Sequence, residues 1–391
     1  IYTEGEGSKV IINDGTFSFT PSTLKRAYVY ASAGTTVEIK GGTFGKPSTR
    51  ADYKAGIRGV GTVIITGGTF GFDPTKWLAE GYTVKKEGQN WVVVGPAENT
   101  EDFLAALSYA KPGDVIYVAK SVVLPSNFVT STPGALTIEG VSEDAQVSFN
   151  TKAGGADGGL NCYADGMDLV FKNIKVVSPN TGSAYTGGFG RAKSVLFDNC
   201  EYYGQYRSLS YVKFNQCTID PQTSYIYTDY SNADFVNCVF NCSEGKGIQV
   251  YNDGNSTETT INVTECTFEA AKHGATWDGK PVTAIDINSN GEKFTVNITK
   301  TTATGFPVGL NTGYSLFNIK GGAEYVTVYV DGSKYIAEGL MEDAEGNQVA
   351  STEAGLKEAL ENGGTVVLAN PFTIDQSESN GYGKTGINMT N

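Results

Sequence analysis

The chain has 391 residues, 49 of them glycine and only 18% charged, with a formal net charge of -13. That acidity excludes nucleic acid and anionic membranes as partners, since both are bound through a basic face, and it disfavours a polyanionic substrate unless a local basic cleft overrides it. No apolar run approaches the roughly 20 residues of a membrane span, so no membrane insertion is expected, and the glycine content suits a bend-rich all-β chain whose length allows two or three domains.

From the N-terminus, three segments share one pattern: Val10–Phe17 (VIINDGTF), Val37–Phe44 (VEIKGGTF) and Val63–Phe70 (VIITGGTF). Apolar residues alternate, a Gly-containing pair turns the chain, and Thr-Phe follows. Alternation with period two is a strand signal, and Asp-Gly or Gly-Gly admits the backbone angles of a tight bend. Ile12, Ile39 and Ile65 recur at spacings of 27 and 26 residues. After Trp77–Tyr82 (WLAEGY), the stretch Asn99–Ala119 reads as a short amphipathic helix and then a strand over Val115–Ala119. Asn99 or Thr100 is its N-cap, acidic residues occupy its first turn, and Phe103, Leu104 and Leu107 fall at helical spacing.

The alternating frame returns between residues 169 and 268 with different bends. Its third positions are Phe171, Phe197, Phe214, Phe235 and Val263, spaced by 26, 17, 21 and 28 residues. A polar residue stands at each bend (Asn173, Asn199, Gln216, Asn237, Glu265), followed by Ile174, Cys200, Cys217, Cys238 or Cys266. A period of this length with one strand unit per repeat indicates a solenoid, because one unit cannot bury its apolar face alone and neighbours must stack about 4.8 Å apart. Stacking sets Phe over Phe and Cys over Cys. Four of the six cysteines therefore read as a column of small buried residues. With no CxxC pair and His273 as the single histidine, no metal or cofactor is expected.

Near the C-terminus, Tyr335–Leu340 (YIAEGL) repeats the WLAEGY stretch, and Ser351–Ala369 repeats the helix and strand, with Ser351 or Thr352 as N-cap and Leu356, Ala359 and Leu360 at helical spacing. The chain parses as the C-terminal part of one module (1–96), a complete module (97–349) and the start of a further one (350–391). With no signal peptide visible before Ile1, the array is expected to continue in a longer parent protein; alternatively, residues 350–391 pair with a neighbouring chain.

The bend asparagines Asn173, Asn199 and Asn237 resemble the asparagine ladder of pectate-lyase-like β-helices, and the helix followed by GD-x-I-x-V resembles the N-terminal cap of that superfamily. The resemblance implies an all-β fold of right-handed parallel β-helix (solenoid) modules in tandem, each opened by a short capping α-helix that covers the open end of the core. The GGTF–WLAEGYTV combination over residues 60–95 also resembles modules of gut-bacterial surface proteins and phage fibre proteins, which implies an extracellular place on a virion or cell surface.

Lyases of this superfamily use an Arg or Lys base near calcium-holding Asp residues, and hydrolases use clustered carboxylates on adjacent coils. Of the five arginines (Arg26, Arg50, Arg58, Arg191, Arg207), Arg191 and Arg207 lack the neighbouring Pro and second Arg that resemble a lyase site, and Arg207 reads as a solvated loop charge. Asp165 and Asp168 sit at a turn, Asp229 and Asp234 flank a loop, and Asp286 reads as solvent-facing in AIDIN. No catalytic set is expected. Tyrosine is dense from 202 to 230: Tyr202 is in frame with Val176, Ile219 and Phe240 and points inward, while Tyr203, Tyr206, Tyr211, Tyr225, Tyr227 and Tyr230 fall in loops or on outward faces. Exposed rings on a β surface stack on sugars or anchor a protein, which makes Tyr203, Tyr206 and Tyr230 the candidate binding residues; stacking between neighbouring coils is the competing role. Asn-x-Ser/Thr triplets at Asn241, Asn255, Asn262, Asn297 and Asn388 are expected by chance. The first function expected is a non-catalytic structural or adhesive module binding carbohydrate, a host receptor, virion proteins or copies of itself. The alternative is a polysaccharide lyase or glycoside hydrolase on the same scaffold.

Overall fold

The computed structural model describes residues 1–19, 27–48, 56–124, 134–149, 166–178, 188–189, 192–207, 210–228, 231–251, 258–277, 279–363 and 365–369. Strands dominate, and two α-helices occur among the described residues: α1 (Thr100–Tyr109) and α2 (Glu353–Asn362). The chain forms two compact units, residues 1–122 with 137–145, and residues 123–136 with 146–391.

In the first unit the three GTF segments pair in parallel. Val10, Val37 and Val63 share one column, Ile12, Ile39 and Ile65 another, and Phe17, Phe44 and Phe70 a third. The phenylalanine rings stack with centroids 4.7 and 4.8 Å apart. Close stacking also explains the double glycine. Gly42 and Gly68 bend with φ of 102° and 110°, and a Cβ on Gly41 or Gly67 would lie 2.4 or 2.2 Å from a carbonyl oxygen of the preceding pass. A further parallel sheet sets Tyr2 beside Tyr30 and Tyr30 beside Arg58.

In the second unit the chain visits three parallel sheets in turn. The first sheet holds Asp168–Lys172, Ser194–Asp198, Tyr211–Asn215, Ala233–Val236, Thr259–Thr264, Phe294–Thr299 and Val326–Val330. The second holds Gln146–Phe149, Lys175–Ser178, Glu201–Gly204, Thr218–Asp220, Val239–Cys242, Thr267–Ala270 and Thr302–Thr304. The third holds Tyr206–Arg207, Ile226–Thr228, Ile248–Tyr251, Ile285–Asn288 and Phe317–Gly321. Phe171, Phe197, Phe214, Phe235 and Val263 stand in register, and the first four rings stack at 5.1, 4.6 and 5.3 Å. On the second sheet Val176, Tyr202, Ile219, Phe240 and Phe268 form the matching buried column, with Tyr202 inward as its frame requires.

Each first-sheet strand ends on a left-handed residue. Asn173, Asn199, Gln216, Asn237, Glu265 and Lys300 have φ between 46 and 54°. Asn tolerates that region best among residues with a Cβ, since its short amide bonds locally. The side chains point to solvent, and among the described residues Asn199 Nδ2 donates to Asn173 Oδ1 at 2.8 Å as the expected amide ladder requires; a later pass has a Lys300–Glu265 ion pair at 3.1 Å in the same column. The longer ladder lies on the outward face of the first sheet, where Asn297 donates to Asn262 and Asn262 to Asp234 at 2.8 and 2.7 Å.

The cysteine column is buried, and each thiol finds a carbonyl of the preceding pass: Cys200 to Phe171, Cys217 to Phe197, Cys238 to Phe214 and Cys266 to Phe235, at 3.3 to 3.5 Å. Thr301 takes the same place one pass later and bonds Val263 O at 3.3 Å. The position thus selects a small side chain that donates.

Where the parallel pattern stops, antiparallel strands follow: Asn90–Val94 against Thr83–Glu87 in the first unit, and Ser333–Ala337 against Val326–Val330 and Leu340–Glu342 in the second. Both helices then start on capped termini. Asn99 accepts from Asp102 N, and Thr352 accepts from Gly355 N, so these residues rather than Thr100 and Ser351 are the N-caps. The α2 helix packs Leu356 and Ala359 on Leu340 and Ala350.

Phe214→Ala is expected to lower stability by about 3–5 kcal/mol, because the ring is fully buried between two others. Cys238→Thr, which restores the bond that Thr301 makes, should cost under about 1 kcal/mol. Urea unfolding of the two variants checks both values, and an equal loss would remove the donor rule for this column.

Candidate functional site

Along each second-sheet strand, the residue that follows an inward one faces out. Tyr203 follows Tyr202, Asp220 follows Ile219, Asn241 follows Phe240, Glu269 follows Phe268, and Thr304 continues the row. Four steps of about 4.8 Å make the row about 19 Å long. The segments leaving the sheet wall its far end, with Ser243 and His273 on the rim, and enclose a groove of about 530 Å³.

Tyr203 opens the row as a half-buried ring. Lys175 Nζ lies 4.7 Å from its centroid, and its hydroxyl donates to Glu201 Oε2 at 3.3 Å. Burial, with Glu201 and Asp220 nearby, raises the phenol above its ordinary pKa and keeps it a neutral donor. Asp220 Oδ1 accepts from Gln222 N at 2.9 Å and from Ser243 Oγ and N at 2.9 and 3.3 Å. His273 Nδ1 faces the Gly305 carbonyl at 3.0 Å, and because a carbonyl only accepts, Nδ1 is the donor. Gly305, at φ 79°, permits that approach: a Cβ there would lie 2.6 Å from Ala270 O and 3.0 Å from the His273 ring.

The row therefore offers an aromatic ring at one end, and the groove beside it an amide, hydroxyls and fixed acceptors, a set that matches a hydroxyl-rich ligand. As a hydrolytic pair its acids are poorly placed. Asp220 and Glu269 are two strands apart, about 10 Å along the sheet, with Asn241 between them. One oxygen of Asp220 is already committed to three donors.

Among the sequence candidates, Tyr203 lies in the outward row, one strand beyond the groove-lining Asp220. Tyr206 does not: it is fully buried, edge-on to Phe197, Phe214 and Tyr202, because Tyr206–Arg207 is a strand of the third sheet and turns the ring inward. Tyr230 lies outside the described residues, as do Arg26, Arg50, Arg191, Asp165, Asp229, Asn255 and Asn388. Tyr225 is buried rather than outward, and Tyr211 is exposed with its hydroxyl on Asp234. Asp168 is held by Lys193 and Ser194. Arg207 is no solvated loop charge; it is buried in a strand, with its guanidinium 5.8 Å from the Tyr227 ring. The frame residue plus one was the available signal for Asp220, Asn241, Glu269 and Thr304, and His273 joined them only through folding.

Asp286 corrects the expectation of a solvent-facing acid. It alternates with the core residues Ile285 and Ile287, yet Thr283, Tyr225 and Lys320 close over it and its exposure is 0%. Lys320 Nζ lies 2.7 Å from Oδ2, Thr283 N and Oγ1 donate to Oδ1 at 3.2 and 2.9 Å, and the Tyr225 hydroxyl is 3.4 Å from Oδ2. Burial raises the carboxyl above its ordinary pKa, while Lys320 and Thr283 pull it back.

Among the described residues, no group of three or more His, Cys, Asp or Glu side chains is placed to hold a metal, and no helix is long and apolar enough to cross a membrane. No family model matches the chain, and no curated protein or solved structure compared with it gives a match.

Removing the carboxyl strands the buried Lys320 amine, so Asp286→Ala should cost about 3–5 kcal/mol. Denaturant titration of the variant against the unaltered chain checks this; an unchanged midpoint would show that the contact at Asp286 contributes nothing to stability.

Proposed function

We propose that the chain is a non-catalytic structural and adhesive module, folded as tandem right-handed parallel β-helices of the pectate-lyase-like kind, in a phage fibre or bacterial surface protein. Its ligand is an uncharged carbohydrate of a host or neighbouring surface, held along the Tyr203–Thr304 row. The observation that carries the reading is that row itself: one aromatic ring and four polar side chains in register on a rigid sheet, with Asp220 locked as an acceptor. Parallel strands hold such a row at a fixed pitch without any ordering cost at binding, and a repeating sugar chain lies along it. The acids on the row repel anionic sugars, which is why the ligand is uncharged. Backbone pairing between successive passes supports the mechanical half of the reading, since the inner strands of each parallel sheet are bonded on both sides.

The test is retention of a panel of neutral and acidic glycans on the immobilised protein, together with assays for new reducing or unsaturated ends. Retention of a neutral glycan without cleavage is the expected result. Tyr203→Ala should weaken it about tenfold, the loss of one stacking contact worth about 1.4 kcal/mol, and Tyr206→Phe should leave it unchanged. Cleavage products would replace this reading with a polysaccharide lyase or glycoside hydrolase, and no retention would leave a spacer.

A further inference from the structure

The surroundings of the buried Asp286–Lys320 pair resemble a reaction centre more than a simple ion pair. The two residues lie on adjacent parallel strands, Ile285–Asn288 and Phe317–Gly321, with Asp286 directly beside Asn318 and Lys320 two residues further on the same face. The side chains are 0% and 9% exposed, and the amine nitrogen is in contact with one carboxyl oxygen at 2.7 Å. The other oxygen accepts from Thr283 N at 3.2 Å and lies 2.9 Å from Thr283 Oγ1, whose single hydroxyl hydrogen also has the Ile285 carbonyl oxygen within 2.9 Å. With the Thr283 hydroxyl turned from Ile285 O to Oδ1, an N–H and an O–H reach the oxygen on which charge develops when a nucleophile adds to the carbon, as an oxyanion site requires. The Tyr225 hydroxyl, itself fully buried, stands 3.4 Å from the oxygen that would leave.

We infer that Asp286 and Lys320 condense spontaneously after folding to an intramolecular amide, a side-chain crosslink between two successive passes of the third sheet. A proton passes from the Lys320 ammonium to Asp286 Oδ2, giving a neutral amine and a neutral acid. Nζ then adds to Cγ, and the electron pair of the C=O bond moves to Oδ1, held by Thr283. A second proton leaves nitrogen for Oδ2, relayed through the Tyr225 hydroxyl, which gives one proton and takes one. The Cγ–Oδ2 bond breaks, and Oδ2 departs as water. One C–N bond forms, one C–O bond breaks, one water leaves, and nothing is oxidised or reduced. Adjacent strands hold the reactants in contact, which replaces the entropic part of the barrier. The exclusion of water and the removal of two buried charges favour the neutral amide. Burial already holds the Asp286 carboxyl toward its neutral form.

The crosslink closes a loop over residues 286–320, a full pass of the chain, and so ties one pass to the next without any oxidising environment. It also clamps the covering segment through Thr283 and Tyr225. This inference is independent of the carbohydrate reading: it concerns the third sheet, while the groove lies on the second.

Intact-mass measurement of the folded full chain tests it. The expected mass is one water below the sequence mass, and a tryptic digest should contain a branched peptide joining the Asp286 and Lys320 segments, with no cleavage after Lys320. Lys320→Arg keeps a cation beside Asp286 but cannot form the amide, so its mass should equal the sequence mass. A wild-type mass equal to the sequence overturns the proposal whether or not any variant folds. A water deficit that persists in Lys320→Arg also overturns it, because the loss would then belong to cyclisation at another Asp.

Discussion

Parallel, in-register pairing between successive passes of the chain is the constraint on which the rest depends. Each pass contributes a strand that is hydrogen-bonded to the pass before and the pass after, about 4.8 Å away. At that pitch every side chain meets its own counterpart. Phe171, Phe197, Phe214 and Phe235 stack as rings because the pairing sets each directly over the next, and a glycine stands at 41 and 67 because the preceding carbonyl occupies the space a Cβ would need. The cysteine column obeys the same rule with hydrogen bonds: each thiol donates one pass back, and Thr301 continues the pattern with a hydroxyl.

Outside the core, the same register writes rows rather than pockets. Tyr203, Asp220, Asn241, Glu269 and Thr304 lie in line because they are outward neighbours of a buried column, and Asp234, Asn262 and Asn297 form a ladder on the first sheet for the same reason. A row of this kind presents a repeating pattern at fixed spacing, which suits a repeating ligand better than a small compact one. Depth comes only from the segments that leave the sheets. His273 reaches the row on one of them, and another covers Asp286, so that an outward position becomes the most buried charged site among the described residues.

The pairing also has a weakness, since a stack of parallel strands has two open ends. In both units the parallel run gives way to antiparallel strands, and a capped helix follows in the chain. Gly339 and Gly355 let the α2 helix approach the YIAEGL turn closely; a Cβ on Gly355 would lie 2.1 Å from Gly339 O. The pairing of an end signal with a new helix is thus a packing requirement as well as a repeated motif.

The repeat was legible from residue order because period-two alternation and recurring Ile, Phe and Cys depend only on which residues face the core. On that basis Ile12 over Ile39, Phe197 over Phe214, the inward Tyr202 and both helices follow from the sequence by itself. Two kinds of placement did not. Tyr206 and Arg207 belong to a two-residue strand, too short for any alternation to show, and Asp286 alternates outward like a surface residue. Only the tertiary structure decided that Tyr206 is core, that Arg207 lies against Tyr227, and that Asp286 meets Lys320 under a covering segment, because these depend on where irregular segments return. Local pattern determines which face a side chain takes. What lies over that face is set by chain that is distant in sequence, and this is why the scaffold could be read in advance and the buried Asp–Lys centre could not.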